Sequence, residues 1–467
     1  MSPRLCFHGG AGTVTGSRYL LTADKDQIMV DAGLFQGLKA LRKQNWKQPP
    51  FEPRHIHNLL LTHAHIDHAG YLPRMVHDGF RGTVHCTAGT RDLARLLLKD
   101  AAHLQEEDAR YANRKGFSKH RPALPLCTAE DARKACDLMR AVDYGQWFET
   151  GANMQARFLN MGHILGSAMV ETRIGNSDDA LRVVFSGDVG RFDVPLHSDP
   201  DPLPPCDYLV IESTYGDRDH QHEPVADQIL ATVKPVLERG GIVLIPSFAV
   251  GRAQLITLSL RELMNDGRLP DTPIHIDSPM AVDATRLYSK HIRDLSLDGD
   301  LTDDGRSRLF PNNVHFHRAT KESIALNELK GPRIIISASG MLSGGRVLHH
   351  LKRLAPDPNN LVMLVGYQAA GTRGRKMLDG HDTVRVHGKD VPLRAEFKPL
   401  SGLSAHADRN ELLRWVKSAG QPPHTVLITH GEPDASAAFA KLVHQETGAE
   451  CITPSLHDCI SLESHPR

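Results

Sequence analysis

Within the six residues His63 to His68, the chain carries three imidazoles and a carboxylate (HAHIDH), directly behind the apolar run Leu59, Leu60, Leu61. A short apolar run closed by such a cluster reads as a strand ending at a ligand-rich loop. His63 and His65 stand two apart, so at a strand end they point to the same side. Asp67 and His68 fall on the following turn and can face a second ion. Neutral imidazoles and carboxylates are the donors that a borderline cation such as Zn²⁺ takes. Four of them are too many for one open tetrahedral site, which points to two ions.

The rest of the chain has to supply strands around that loop. The first 215 or so residues read as short β-branched runs closed by Gly, Asp or His, among them SRYLLT, QIMVDAG, TVHCT, ARFLNMG, AMVETRI, RVVFSGD and YLVIEST. One helical tract interrupts them, from about Arg91 to Arg114. From Pro224 the rhythm changes to helices alternating with apolar strands that lack in/out alternation, as in GIVLIPS, PIHIDS, RIIISAS and NLVMLVG. That pattern predicts a mainly parallel sheet covered on both faces. Near Leu393 the earlier style returns, through LRAEFKPLSG to the helix RNELLRWVKSAG and the strand TVLITHG. A chain of 467 residues is too long for one ordinary core. We read an α/β protein with a first domain in two parts, residues 1–216 and 393–467, split by an inserted α/β domain over 217–392.

Composition narrows the function classes. Formal net charge is zero and the pI is near 7.4, so a nucleic-acid surface has to be local. The cationic stretch Arg110 to Arg121 is one candidate. Seven scattered cysteines, an odd number with no CxxC pair, predict reduced thiols in a cytoplasmic protein and argue against a disulfide scaffold or a Cys-ligated zinc ribbon. No signal-peptide core and no membrane-length apolar window is legible. The acidic stretch Asp298 to Asp304 reads as a solvated loop.

HxHxDH after an apolar strand resembles the metallo-β-lactamase fold, and further motifs follow in order. Asp31 in MVDAG matches an early structural aspartate, His163 in NMGHILGSA a third histidine, Asp188 in FSGDVG a bridging carboxylate, and His430 in LITHGE a late ligand. The resemblance implies a four-layer αββα domain with His63, His65 and His163 on one zinc, Asp67, His68 and His430 on the other, and Asp188 bridging. Mn²⁺ suits the same N/O donors. The resemblance narrows to the β-CASP subgroup through Glu212 in VIESTYGDR, His406 in LSAHAD and His430, and through PSFAVGRAQ, DSPMA and SASGMLSGGR in the insertion. It covers nearly the whole chain and is closest in kind to compact prokaryotic β-CASP ribonucleases and the nuclease subunit of the mRNA 3′-end cleavage complex.

What this implies is a zinc-dependent ribonuclease. Single-stranded RNA would enter between the two domains and be hydrolysed by a hydroxide bridging two metals, with Asp67 orienting the hydroxide. A leaving alkoxide needs a separate acid, and His406 is the candidate, with Glu212 accepting its other N–H. Arg252, Ser339, Gly340 and Ser404 are candidate phosphate contacts, with Arg346 nearby. No RNase J-type C-terminal extension and no N-terminal KH-type region is expected, so cleavage is implied more firmly than 5′-exonucleolytic trimming, and the endonucleolytic and 5′-exonucleolytic modes both stay open. Two other readings compete: a hydrolase of small esters or thioesters, which has no use for Glu212, His406 or the insertion, and a non-catalytic RNA-binding scaffold. A homodimer is left open.

Overall fold

The apolar runs flanking HAHIDH become strands of two seven-stranded sheets. In the computed structural model, residues 2–116, 118–175, 180–220, 223–295, 313–366, 368 and 372–464 are described. Two compact units emerge, Met1–Asp219 with His406–Arg467, and His220–Ala405. In the first unit, one sheet runs Cys459–Ser461, Arg4–Gly9, Arg18–Ala23, Asp26–Val30, Asn58–Leu60, Thr83–Cys86, Met139–Ala141. The other runs Glu450–Ile452, Thr425–Ile428, Tyr208–Ile211, Leu181–Phe185, Ala168–Ile174, Met154–Asn160, Phe148–Gly151.

The period-2 pattern decides which face goes inward. Along Met154–Asn160, Met154, Ala156 and Phe158 are buried while Gln155 and Arg157 are only half-buried. Phe158 joins Val170, Val183 and Val210 against Leu5, Phe7, Ile28 and Val30 of the facing sheet. The outer face of the second sheet meets Leu412 and Trp415 of the helix Arg409–Lys417, and Phe439 and Val443 of the helix Pro433–Thr447. The helices Leu72–His77, Ala88–Lys115 and Ala129–Asp137 pack together beside the first sheet, completing four αββα layers. Each fully buried large side chain in these layers contributes about 1.5–3 kcal/mol.

The second unit carries a six-stranded sheet in the order Val314–Phe316, Ile274–Ile276, Arg333–Ser337, Ile242–Pro246, Leu361–Val365, Glu396–Leu400. Every pairing in it is parallel. Both faces are apolar, as strands without alternation require: Val243, Ile245, Ile334 and Ile336 pack on one side, Leu244, Ile335, Val362 and Leu364 on the other. The strand Glu396–Leu400 joins this sheet through Leu361–Val365, although its surroundings in the sequence read like the first part of the chain.

One expectation is corrected. The cysteines are not all thiols: Cys6 and Cys459 form a disulfide. The antiparallel pairing of Arg4–Gly9 with Cys459–Ser461 sets the two directly opposite, with Cα atoms 4.1 Å apart. A sequence separation of 453 residues hid the pair. The long helix spans Ala88–Lys115, a few residues longer than its apolar spacing implies. The stretch Asp298 to Asp304 lies outside the described residues. Among the described residues, no helix is long and apolar enough to cross a membrane.

Candidate metal centre

Seven potential ligands from four segments of the chain, residues 63–68 and the segments carrying His163, Asp188 and His430, meet at one edge of the first unit, each placed just beyond a strand end or on the turn that follows. His63 and His65 follow Asn58–Leu60, and His68 sits on the single turn Ile66–Ala69. Asp188 follows Leu181–Phe185 and His430 follows Thr425–Ile428. His163 lies on the loop between Met154–Asn160 and Ala168–Ile174, where the Ser167 hydroxyl accepts from its backbone N–H at 2.9 Å.

Potential ligand atoms of His63, His65, His163 and Asp188 lie within 4.8 Å of one another, as do those of Asp67, His68 and His430. The Asp188 carboxylate stands between the two groups. Its Oδ2 is 3.3 Å from His63 Nε2 and 3.4 Å from His163 Nε2. Its Oδ1 is 3.1 Å from His68 Nε2 and 3.6 Å from His430 Nδ1. The imidazoles also face one another: His65 Nδ1 is 3.1 Å from both His63 Nε2 and His163 Nε2, and His68 Nε2 is 3.2 Å from His430 Nε2.

Buried lone pairs aimed at each other are unfavourable unless a cation or proton lies between them. Burial, aided by neighbouring imidazoles, pushes His63 down to about 3 and lowers His65 and His163 as well. These rings are thereby kept neutral, the form that binds a metal. Burial also opposes charge on His68, yet the carboxylates of Asp188 and Asp31 outweigh it and hold the ring well above its ordinary pKa. Asp188 Oδ1 is buried without a hydrogen-bond partner among the described residues. An orphaned carboxylate oxygen amid imidazoles, with N and O donors throughout, fits a metal cofactor.

Asp31 acts one layer out. Its Oδ2 lies 2.7 Å from His68 Nδ1, and its oxygens accept from the Thr62 backbone N–H and hydroxyl, each at 2.8 Å. Asp31 and His430 both adopt left-handed backbone, at φ 60° and 45°. That conformation is uncommon for residues other than glycine and costs of order 1 kcal/mol or more. Thr62, whose hydroxyl is also 3.1 Å from His63 Nδ1, and Thr214, whose hydroxyl is 3.3 Å from His430 Nδ1, are second-layer groups that the sequence reading missed. The signal for Thr62 was its place immediately before the motif.

Beside the cluster, His406 Nδ1 lies 3.1 Å from both Glu212 oxygens. Glu212 is itself fixed by the backbone N–H groups of Val189 (2.7 Å) and Thr214 (3.3 Å). Its carboxylate falls within 4.8 Å of ligand atoms of Asp188 and His430. Burial opposes a charge on His406, but the Glu212 and Asp188 carboxylates outweigh it and push its pKa up to about 9. The His406 ring centroid is 4.6 Å from that of His163, and its side chain is 23% exposed, within reach of a substrate. A capping box just downstream holds this segment in place. Asp408 accepts from the N–H groups of Asn410 and Glu411, and Glu411 reaches back to the Asp408 N–H.

The candidate phosphate contacts lie in the second unit, after strand C-termini. Arg252 opens the helix Arg252–Asn265, donates to the Val365 carbonyl at 3.2 Å and stands 5.0 Å over the Phe248 ring. A Cβ on Gly340 would come within 3.3 Å of Phe248, so Arg252, Phe248 and Gly340 belong to one neighbourhood. The Ser339 hydroxyl is engaged in its own turn, accepting from the N–H groups of Ser343 and Gly344. Ser404 lies on the segment after Glu396–Leu400. Arg346 is tied to Asp277 at 2.8 Å and to the carbonyls of His317 and Arg318.

Three family descriptions match the chain: Metallo-beta-lactamase superfamily over residues 11–214, Beta-Casp domain over 253–377, and Zn-dependent metallo-hydrolase RNA specificity domain over 390–454. A ribonuclease of Thermus thermophilus is 36% identical over 442 residues, covering 94% of this chain and 96% of that protein. A transcription termination factor of Pyrococcus abyssi is 31% identical over 475 residues, covering 97% of this chain and 70% of that protein. Its counterpart in Methanocaldococcus jannaschii is 29% identical over 472 residues, covering 98% and 72%. A crystal structure of a protein of unknown function from Enterococcus faecalis covers 99% of this chain and 100% of its own at TM-score 0.56 and 13% identity, a likeness of fold alone. With motifs, fold and relatives in agreement, the chain belongs to the β-CASP family of the metallo-β-lactamase superfamily.

Proposed function

We propose that the protein is a zinc-dependent ribonuclease that hydrolyses phosphodiester bonds of single-stranded RNA at a two-ion centre. The observation that carries the reading is the Asp188 carboxylate, which turns one oxygen to each ligand group with the His406–Glu212 pair alongside. His63, His65 and His163 would hold one Zn²⁺, Asp67, His68 and His430 the other, and Asp188 both. When bound, such ions supply Lewis acidity at the phosphoryl oxygens and an acidified water for attack.

The chain's own groups do the rest. Asp67 faces His430 at 3.6 Å with its side chain 21% exposed, placed to orient the attacking water. Hydrolysis forms a bond from that water's oxygen to phosphorus and breaks the bond to the departing ribose oxygen, which needs a proton. His406 supplies it: Nδ1–H donates to Glu212, which fixes the tautomer and leaves the transferable proton on Nε2. A pKa of about 9 keeps that proton in place at neutral pH. Arg252, Ser339, Gly340 and Ser404 are proposed to hold backbone phosphates.

Zinc-loaded protein tested on one single-stranded RNA, labelled in parallel at its 5′ or 3′ end, decides the matter, with His406→Ala as control. Internal fragments that vanish in the variant establish an endonuclease. Release of 5′ mononucleotides establishes a 5′-exonuclease. No cleavage by the parent protein returns the scaffold or small-ester readings.

A further inference from the structure

The helix Ala88–Lys115 begins at the metal centre and ends far from it. Its N-terminal residues Thr87 and Thr90 both donate to the Gly166 carbonyl, at 2.6 and 2.7 Å, on the loop that carries His163. At about 1.5 Å per residue, its 28 residues reach roughly 42 Å. The far end is strongly cationic: between Asp108 and Glu130 there is no acidic residue, while Arg110, Arg114, Lys115, Lys119 and Arg121 carry charge and His120 stands among them. All six are exposed. Arg110 approaches Glu106 at 3.8 Å. Among the described residues, Arg114, Lys115, Lys119 and Arg121 have no carboxylate at ion-pair distance.

Complementing the helix dipole explains only part of this. Arg114 and Lys115 lie in the last turn, where cations are favoured, and Gly116 closes the helix in left-handed conformation at φ 67°. Lys119, His120 and Arg121 come after that cap. Their segment is held back against the helix by Asn113, which donates to the Ala123 carbonyl at 2.9 Å and accepts from the Ala123 N–H at 2.7 Å. A concavity of about 430 Å³ results, lined by Asn113, Gly116, Ser118, His120, Arg121 and Pro122. Next to it Tyr111 is 48% exposed, with the Arg114 guanidinium 5.5 Å from its ring centroid. Unpaired cations beside an exposed aromatic face suit phosphates and an unstacked base together.

We infer that this helix end is a second RNA-binding surface, remote from the cleavage centre, that holds the single-stranded substrate some 40 Å from the scissile bond; this rests on the ribonuclease reading above. At the duplex rise of about 3.4 Å per nucleotide, the span corresponds to roughly a dozen nucleotides. At that stacked rise a hexamer reaches only about half the span, whereas a 30-mer exceeds it.

The test uses the triple variant Lys115→Gln, Lys119→Gln, Arg121→Gln, with a melting curve as the check on folding. RNA affinity is measured against salt in the His406→Ala background, and cleavage is measured in the otherwise unchanged enzyme. For a 30-mer, the triple variant should bind about tenfold more weakly or worse, and the slope of log K against log salt should fall by about 2, at ~0.7 per phosphate contact. Cleavage of a hexamer should keep its kcat/KM. Unchanged 30-mer affinity and slope would overturn the inference. Equal losses with hexamer and 30-mer would also overturn it, placing these cations at the cleavage centre. If the parent protein neither binds nor cuts the 30-mer, the ribonuclease reading falls and takes this surface with it.

Discussion

Asp188 in the first unit and Asp277 in the second are both buried aspartates among histidines, and they are satisfied in opposite ways. Asp277 Oδ1 receives the Arg346 guanidinium at 2.8 Å, and its Oδ2 meets the Ser323 hydroxyl at 2.5 Å and His350 Nε2 at 2.7 Å. Burial opposes its charge, but those three partners outweigh it and hold the carboxyl below its usual range. Among the described residues, no guanidinium or ammonium lies at ion-pair distance from Asp188. Its neighbours are imidazoles, several of which burial keeps neutral, and its Oδ1 lacks a hydrogen bond. The Asp277 carboxylate is neutralised by a guanidinium from within the fold and locks a structure. The Asp188 carboxylate meets imidazoles in place of a guanidinium, and an orphaned oxygen among N and O donors is what fits a metal cofactor.

The sharpest way to break this contrast is to delete each carboxylate. Asp188→Ala should remove both metals together and lower RNA cleavage by roughly a thousandfold or more, as read by metal analysis and initial rates. Loss of one metal alone would undo the bridging role. Asp277→Ala should instead leave the metal content intact and lower stability by about 3–5 kcal/mol, because it strands a buried histidine and an arginine. A melting curve checks that, and a demetallated but stable Asp277→Ala would dissolve the distinction.

Removing His406 should leave both metals bound while kcat falls roughly 10²- to 10⁴-fold. The pH profile sharpens the point. Glu212 raises the His406 pKa, so the parent enzyme should lose activity only as pH rises through about 9. In Glu212→Gln the same loss should begin at lower pH. A Glu212→Gln profile identical to the parent's would remove the coupling between the two residues.

A smaller effect is expected one layer out. Asp31→Ala frees His68 Nδ1 and should weaken metal binding about 10- to 100-fold without removing a ligand. Competition with a chelator reads it directly.

Acid should act on both units, most weakly per group. Burial depresses His8, His85 and His197 in the first unit and His275 in the second to about 4, against 6.5 in the unfolded chain. Between those values the unfolded state binds more protons, so stability is lost as pH falls from about 6.5 to about 4. Melting curves across that window should show it, and His197→Gln should flatten the slope.

Local signals carried much of the architecture. The runs around Phe158, Val170 and Val183 announced strands through β-branched content and closure by Gly, Asp or His, and the unalternating runs around Val243 and Ile335 announced a sheet covered on both faces. His63, His65, Asp67 and His68 were legible as a cluster of ligand-type residues because they sit within six residues. His163, Asp188 and His430 carry no such local sign. Only their order along the chain, matched to a family, marked them before the strand ends were seen to converge.

What the sequence determined by itself was therefore whatever depends on neighbours along the chain: strand or helix, which strands are covered on both faces, and the ligand-rich nucleus of the candidate metal centre. The tertiary structure alone decided the partners that are distant in sequence. It placed Cys6 against Cys459 across 453 residues, and Arg346, Ser323 and His350 around Asp277. It also sent the strand Glu396–Leu400 into the inserted sheet. The physical reason is that hydrogen bonds, ion pairs and disulfides are settled by distances of a few ångströms in space. Periodicity and composition say what a segment buries, and leave open what it is buried against.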